Sequence, residues 1–231
     1  MEISVVIPVF NEAKVIASTV NKVKDYLSKN FSSGEIIVVD DKSTDSTLEV
    51  INSLGGIKVL RNLKNHGKGY TVLKGLKAAT GKYILFMDAD FSTPISELNK
   101  LWEFRDRYQL IIGSRGLNQS QVMVSQPRIK VILGKVGNLF SRWLIHPEIR
   151  DTQCGFKLLP RSVRYLLDKV SIGGWAFDLE LIYLFRKYGL AIKEVPVVWY
   201  NNFDSKVKWW SYPQTLGQLF KIRLNDLLGK Y

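Results

Sequence analysis

The sequence predicts an open, mostly parallel α/β sheet with helices on both faces. Three observations carry this. Short apolar, β-branched runs such as Ile3–Val9 recur through the first half. Between them lie segments whose apolar residues repeat at helical steps. The alternation of the two runs on to residue 113, and neither a Pro/Gly/Ser linker nor an internal repeat divides the chain. At 231 residues the length suits one domain, taken here as 1–231.

Each element has its own justification. Ile3–Val9 is a near-continuous apolar run, as expected of a strand buried on both faces. Ile16, Val20, Val23 and Leu27 follow at steps of 4, 3 and 4, a helical stripe. Glu35–Val39 is a short apolar strand, and Ser43–Ser53 a helix whose Asp/Ser/Thr-rich start supplies capping oxygens. Ile57–Leu60, Tyr83–Met87 and Leu110–Ile112 are further strands. Gly69–Ala79 is a helix between them, and Pro94–Tyr108 another, with proline near its first turn, where a missing N–H costs little. Regularity fades after Arg115. Helices are predicted over Gln126–His146 and Ala176–Tyr188, a strand over Ile192–Trp199, and a final amphipathic helical tail over Tyr212–Leu228.

Composition excludes several classes. With 46% hydrophobic and 23% charged residues, the chain is neither disordered nor low-complexity. A single cysteine, Cys154, permits no internal disulfide and fits a reducing compartment. Met1-Glu2-Ile3-Ser4 lacks the basic start of a secretory signal. The longest stretches without Asp, Glu, Lys or Arg are 12 residues, Gly116–Pro127 and Trp209–Phe220, whereas a spanning helix needs about 20. Charge is the anomaly. The net is +12, and it is uneven: residues 1–114 hold 15 basic and 13 acidic side chains, residues 115–231 hold 18 and 8. A cationic second half implies an anionic partner, be it nucleic acid, a phosphorylated substrate or a membrane surface.

Ligands of open parallel sheets bind at the carboxyl ends of the strands. Three such ends carry polar clusters: Pro8-Val9-Phe10-Asn11-Glu12, Asp40-Asp41-Lys42-Ser43-Thr44-Asp45 and Asp88-Ala89-Asp90. Alone, Asp90 reads best as a helix cap. Three clusters at successive strand ends favour a site in which two carboxylates and a hard divalent cation meet a diphosphate.

These clusters, with Asn65-His66-Gly67-Lys68-Gly69 between the last two, occur in an order and spacing that resembles the family 2 glycosyltransferases of the GT-A fold, a Rossmann-like architecture. The second half narrows the resemblance. Gly113-Ser114-Arg115, Ile149-Arg150-Asp151-Thr152-Gln153-Cys154-Gly155-Phe156-Lys157-Leu158 and Trp175-Ala176-Phe177-Asp178-Leu179-Glu180-Leu181 are similar to dolichyl-phosphate glucosyltransferases, and the tail from Ser205-Lys206 to Leu224 continues the match. Dolichyl-phosphate mannose synthases share the first half.

The resemblance implies roles. Pro8, Asn11, Glu12, Asp40, Asp41 and Lys68 match nucleotide-sugar-binding positions, as do Asp88, Ala89 and Asp90. Asp88 and Asp90 match a Mg²⁺ or Mn²⁺ site, with Ser92 where mannose synthases often have a Gln. Arg115 and Arg128 match acceptor-phosphate arginines, for which a guanidinium fork is suited. Asp178, beside Glu180, matches a residue that orients a sugar or acts as a base, although helix capping explains it equally from sequence. The implied catalytic set is Asp90, Arg115, Arg128 and Asp178. The implied reaction moves a hexose, from UDP-glucose first and GDP-mannose second, to a polyprenyl (dolichyl) phosphate with inversion. Residues 1–114 form the donor half and 115–231 the acceptor and membrane-facing half. The expected location is cytoplasmic and peripheral, with Trp199, Trp209, Trp210 and Tyr212 near Lys206, Lys208, Lys221 and Arg223 at a membrane surface. A same-fold transferase acting on a hydroxyl is the neighbouring alternative. A nucleic-acid-binding module is the distant one, and it leaves the acidic strand ends unexplained; no nucleic acid is expected.

Overall fold

The computed structural model describes residues 1–123, 148–200 and 211–231, the last segment with side chains from 214 onward. The predicted helix Gln126–His146, and with it Arg128, lies outside the described residues, as do Lys206, Lys208, Trp209 and Trp210 and the side chain of Tyr212.

A seven-stranded sheet forms the centre. Its strands are β1 (Ile3–Val9), β2 (Gly34–Asp40), β3 (Lys58–Arg61), β4 (Tyr83–Met87), β5 (Leu110–Ser114), β7 (Phe156–Pro160) and β8 (Ile192–Pro196), in the spatial order β3-β2-β1-β4-β7-β5-β8. Two short strands, β6 (Gln121–Val122) and β9 (Val198–Trp199), pair apart from it. Neighbouring strands are parallel except at β7, which runs antiparallel to both β4 and β5. The mostly parallel sheet of the sequence reading is therefore correct, with one reversed strand it did not contain. The apolar stretch Ile192–Trp199 is two strands, because Val197 leaves β8 to begin a second pairing.

Helices cover the sheet as the periodicity predicts. In α1 (Ile16–Asn30) the buried face is Ile16, Thr19, Val20, Val23 and Leu27, which contains the whole predicted stripe. α2 (Thr47–Ser53) starts four residues later than expected, because Ser43 and Thr44 give their N–H groups to Asp40 and Asn11 in a loop instead. α3 (Lys68–Ala78) lies over β1 and β2. The Pro94–Tyr108 segment is shorter than predicted: a 3-10 turn at Ile95–Glu97, then α4 (Leu98–Trp102) and turns. α5 (Phe177–Lys187) is buried over most of its length, and α6 (Ser211–Leu227) packs against it.

Two features bring the second half of the chain to the first. β7 inserts between β4 and β5, so the block from Ile149 to Leu158 reaches the end of β4. Close approach of α3 to the start of α5 needs a residue without a side chain: a Cβ on Gly69 would lie 2.6 Å from Phe177 Cβ and 2.7 Å from Gly174 O. Lys68 is thereby set beside the first turn of α5.

Candidate active site

β1 sits between β2 and β4, so chain order reverses there and the crevice at its carboxyl end is the expected ligand site. The register shows the crevice opening. Pairing of β1 with β4 stops at Val6↔Phe86, whereas pairing with β2 continues to Val9↔Asp40. Pro8 lies in the part of β1 beyond its last partner on β4. Among the described residues the non-glycine positions with positive φ are Asn11 (54°), Lys42 (63°) and Phe91 (56°), and they fall in the loops after β1, β2 and β4. Left-handed backbone at all three strand ends around one crevice is the kind of strain that collects at functional sites.

The β1 and β2 loops are knitted together. The Asn11 N–H donates to Ser43 Oγ (2.9 Å), its Oδ1 accepts from the Thr44 N–H (2.8 Å), and the Glu12 N–H donates to Thr47 Oγ1 (2.7 Å). Asp40 is fully buried. Its Oδ1 accepts from the Ser43 N–H at 3.0 Å, while Oδ2, 3.5 Å from Arg61 Nε, has no hydrogen-bond partner among the described residues. Asp41 differs. Its Oδ1 accepts from Asn62 Nδ2 (2.7 Å) and the His66 N–H (2.9 Å), and its Oδ2 from the Gly67 N–H (2.8 Å). Asp41 thus shapes the turn that presents Lys68.

Asp88 and Asp90 follow β4. Lys68 Nζ lies 2.7 Å from Asp88 Oδ1 and above the rings of Phe86 and Trp175. Burial pulls the Lys68 pKa down, but the carboxylates of Asp88, Asp178 and Asp90 outweigh it, so the ammonium is held charged. Burial and then the neighbouring Asp88 push the Asp90 carboxyl above its usual range, against the Ser92 N–H bonded to Oδ1 at 3.0 Å. The Ala89 carbonyl between them accepts from Thr19 Oγ1 of α1 at 2.8 Å, which fixes the loop from the other side. Among the described residues no cluster of three His, Cys, Asp or Glu side chains could hold a metal. A pair of hard carboxylates whose mutual repulsion already raises one of them does fit a divalent cation whose remaining ligands are phosphate oxygens and water.

The second half supplies the far wall. The Asp88 N–H donates to the Gly155 carbonyl at 3.0 Å. Lys157, on β7, is fully buried; its Nζ donates to the Cys154 carbonyl at 2.6 Å and to Asp178 Oδ1. Burial raises the Asp178 carboxyl, opposed by Lys157 and Lys68. Asp178 is therefore one partner of a buried ion pair that faces Lys68. Glu180, also in the first turn of α5, accepts from the Ser171 and Ile172 N–H groups (2.9 and 2.7 Å), from Ser171 Oγ and from the Tyr231 hydroxyl. That carboxylate is a structural anchor for the segment before α5 and for the chain end. Cys154 is buried, and burial pushes its thiol up to about 12, away from the thiolate that a nucleophile needs.

Arg115, at the end of β5, forms a two-pronged bond to Asp151: Nε to Oδ2 at 2.6 Å and Nη2 to Oδ1 at 2.8 Å, with its own N–H on Oδ2 at 2.9 Å. The guanidinium lies against the Trp199 ring and within electrostatic reach of Asp88. A bidentate carboxylate uses two of its five N–H groups and fixes the plane in which the others point. The N–H groups of Arg150 and Asp151 in turn donate to Glu194 of β8 (2.8 and 2.9 Å). Asp90, Lys68, Asp178 and Arg115 thus gather at one end of the sheet; Arg128 is not among the described residues.

Comparison with known proteins agrees with this architecture. Residues 4–165 match the model of glycosyl transferase family 2. The chain belongs to that family. Along its whole length this family 2 chain is 34% identical to the dolichyl-phosphate beta-glucosyltransferase of Drosophila melanogaster, covering 77% of it. The enzyme of the same name from Dictyostelium discoideum is 32% identical over 98% of the chain and 75% of the relative. Among solved structures, mannosyl-3-phosphoglycerate synthase from Rubrobacter xylanophilus superposes with a TM-score of 0.76 at 17% identity, covering 100% of this chain and 76% of that one. Glucosyl-3-phosphoglycerate synthase from Mycobacterium tuberculosis, in complex with Mn²⁺, UDP-glucose and glycerol 3-phosphate, does so at 0.71 and 21%, covering 96% and 79%. These last two show the GT-A fold.

Three residues were given no role from sequence: Asp151, Gly155 and Lys157. The available signal was a lysine in second position of the apolar run Phe156–Pro160, a place where a charge is retained only with a buried partner.

Proposed function

We propose that this glycosyltransferase moves glucose from UDP-glucose to a dolichyl-type polyprenyl phosphate, inverting the anomeric centre; relatives named dolichyl-phosphate beta-glucosyltransferase support the sugar and the acceptor. The observation that carries the proposal is the meeting, at one sheet end, of the Asp88–Asp90 pair with the Arg115–Asp151 fork. One site handles a leaving diphosphate and the other an incoming phosphate.

The residues divide the work as follows. Asp40 Oδ2, a buried acceptor without a hydrogen-bond donor among the described residues, suits an N–H of the base. Asn11, Glu12 and Pro8, at the same end of β1, would contact the donor beside it. Asp88 and Asp90 would hold Mg²⁺ or Mn²⁺, which when bound neutralises charge on the departing diphosphate. Lys68 adds a fixed positive charge there, in a turn set by Asp41. The acceptor phosphate oxygen is already ionised near neutral pH, so positioning outweighs base catalysis. Arg115 would hold that phosphate in line, together with Arg128. Asp178, tied to Lys157, serves to orient substrate. We place the enzyme peripherally at the cytoplasmic membrane face. Residues 1–114 form the donor side and 115–231 the acceptor side of one domain, the two meeting at Asp88.

Incubation with labelled UDP-glucose or GDP-mannose and a polyprenyl phosphate, followed by solvent extraction, tests the proposal. Label should enter the lipid fraction from UDP-glucose. Label from neither donor would overturn it. Asp90→Ala should abolish transfer with the fold intact; full activity of that variant with added metal would sink the metal assignment.

A further inference from the structure

α6 carries a second apolar face. Its inner side is ordinary core: Leu219 and Ile222 are fully buried against α5, and Asn225 Nδ2 donates to Ser171 Oγ at 3.0 Å. Phe220, Leu224 and Leu227 of α6, and Leu228 in the turn after it with its N–H on the Leu224 carbonyl (3.0 Å), are spaced i, i+4, i+7 and i+8, one continuous stripe on the opposite side. They are 63, 54, 82 and 60% exposed. Scattered exposed leucines need no explanation, but four in one helical stripe do. Lys221 and Lys230 are exposed beside the stripe, and Arg223, also exposed, donates to the Tyr183 hydroxyl of α5 at 3.2 Å. Among the described residues no helix is long and apolar enough to cross a membrane.

We propose that this outer stripe of α6 lies in the headgroup region of an anionic lipid surface, with Lys221 and Lys230 on the lipid phosphates. Charge selects the occupant. An apolar stripe between cations is the pattern of a helix lying in the interface plane. A second copy of this chain would set the same Lys221 and Lys230 face to face in a molecule already at +12. The stripe also stands next to the chemistry. Gln218, beside the buried Leu219 in α6, accepts the Ala176 N–H at 3.0 Å, immediately ahead of Asp178. Seating α6 on the lipid therefore fixes the height of the acceptor side over the bilayer. The inference rests on the lipid-phosphate reading for its purpose, not for its test.

The full chain is floated with vesicles of phosphatidylcholine alone or with added phosphatidylserine, with no donor sugar present. Wild type should float with the phosphatidylserine vesicles and lose binding as salt is raised. L224S/L227S, with far-ultraviolet dichroism and melting temperature unchanged, should weaken vesicle binding by about tenfold or more. K221E/K230E should weaken it on anionic vesicles only. Undiminished binding of L224S/L227S, or no binding of wild type to either vesicle, would overturn the inference. So would a concentration-dependent dimer by light scattering that L224S/L227S dissolves. Transfer to a polyprenyl phosphate in detergent separates the two readings. If transfer fails while vesicle binding follows the stripe, the activity is wrong and the docking surface stands; the converse result removes only the docking surface.

Discussion

Gly155 is where the two halves of the chain touch most tightly. A Cβ there would lie 1.9 Å from Asp88 Oδ2, a distance no rearrangement of a carboxylate held by Lys68 absorbs easily. Gly155→Ala should therefore displace Asp88 and lower kcat/KM by about a hundredfold, as misplacements near 1 Å do, with a smaller loss in melting temperature. Steady-state kinetics with a metal titration checks it; unchanged kinetics would remove Asp88 from the site. Lys157 makes the complementary case. Lys157→Met leaves Asp178 buried without its counter-charge and should cost about 3–5 kcal/mol in urea unfolding. Lys157→Met with Asp178→Leu should recover much of that stability while transfer stays low, since an apolar pair satisfies the core but orients nothing. Recovery of both would make the pair purely structural.

Among the elements, β7 and the loop ahead of it govern the acceptor side. Asp151 ties the end of β5 to β8 through Arg115 and Glu194. Burial would raise its carboxyl, but the Arg115 guanidinium, its hydrogen bonds and Lys157 hold it below the usual range. A depressed folded pKa stabilises the fold above the unfolded value of about 3.9, and that contribution drains away as pH falls below it. Urea midpoints should accordingly separate wild type from Asp151→Asn at neutral pH and converge in acid; a constant gap would refute the assignment. The same element marks the boundary of what sequence reveals. Strands β1, β2, β4 and β5 announce themselves through unbroken apolar, β-branched runs, and the acidic ends of β1, β2 and β4 followed directly. β7 did not, because Lys157 interrupts its run and its reversed direction depends on pairing partners far along the chain. The role of Asp41 in the His66–Gly67 turn was invisible for a similar reason: adjacent aspartates look alike until their hydrogen bonds separate them.

At the scale of the molecule, donor binding should register as stability. A ligand bound only by the folded state at a hundred times its Kd contributes about 2.7 kcal/mol, or a rise of about 5–10 °C in a chain of this size. UDP-glucose with Mn²⁺ should give that shift, GDP-mannose a smaller one, and Asp90→Ala should erase it; differential scanning fluorimetry reads all three. The uneven +12 charge acquires a division of labour as well. Near the crevice, Lys68, Lys157 and Arg115 are each matched to a carboxylate, so little of the net charge resides there. Among the described residues the surplus is on the outside. Finally, the three left-handed residues Asn11, Lys42 and Phe91 set a limit on engineering this protein. A glycine at position 42 or 91 would relieve about 1 kcal/mol of backbone cost in the folded state, part of it returned as extra freedom in the unfolded chain. The loops so relaxed would no longer wait in the shape the donor requires. Heat tolerance won at those positions would be taken from turnover, and a screen for melting temperature alone would select the slower enzyme.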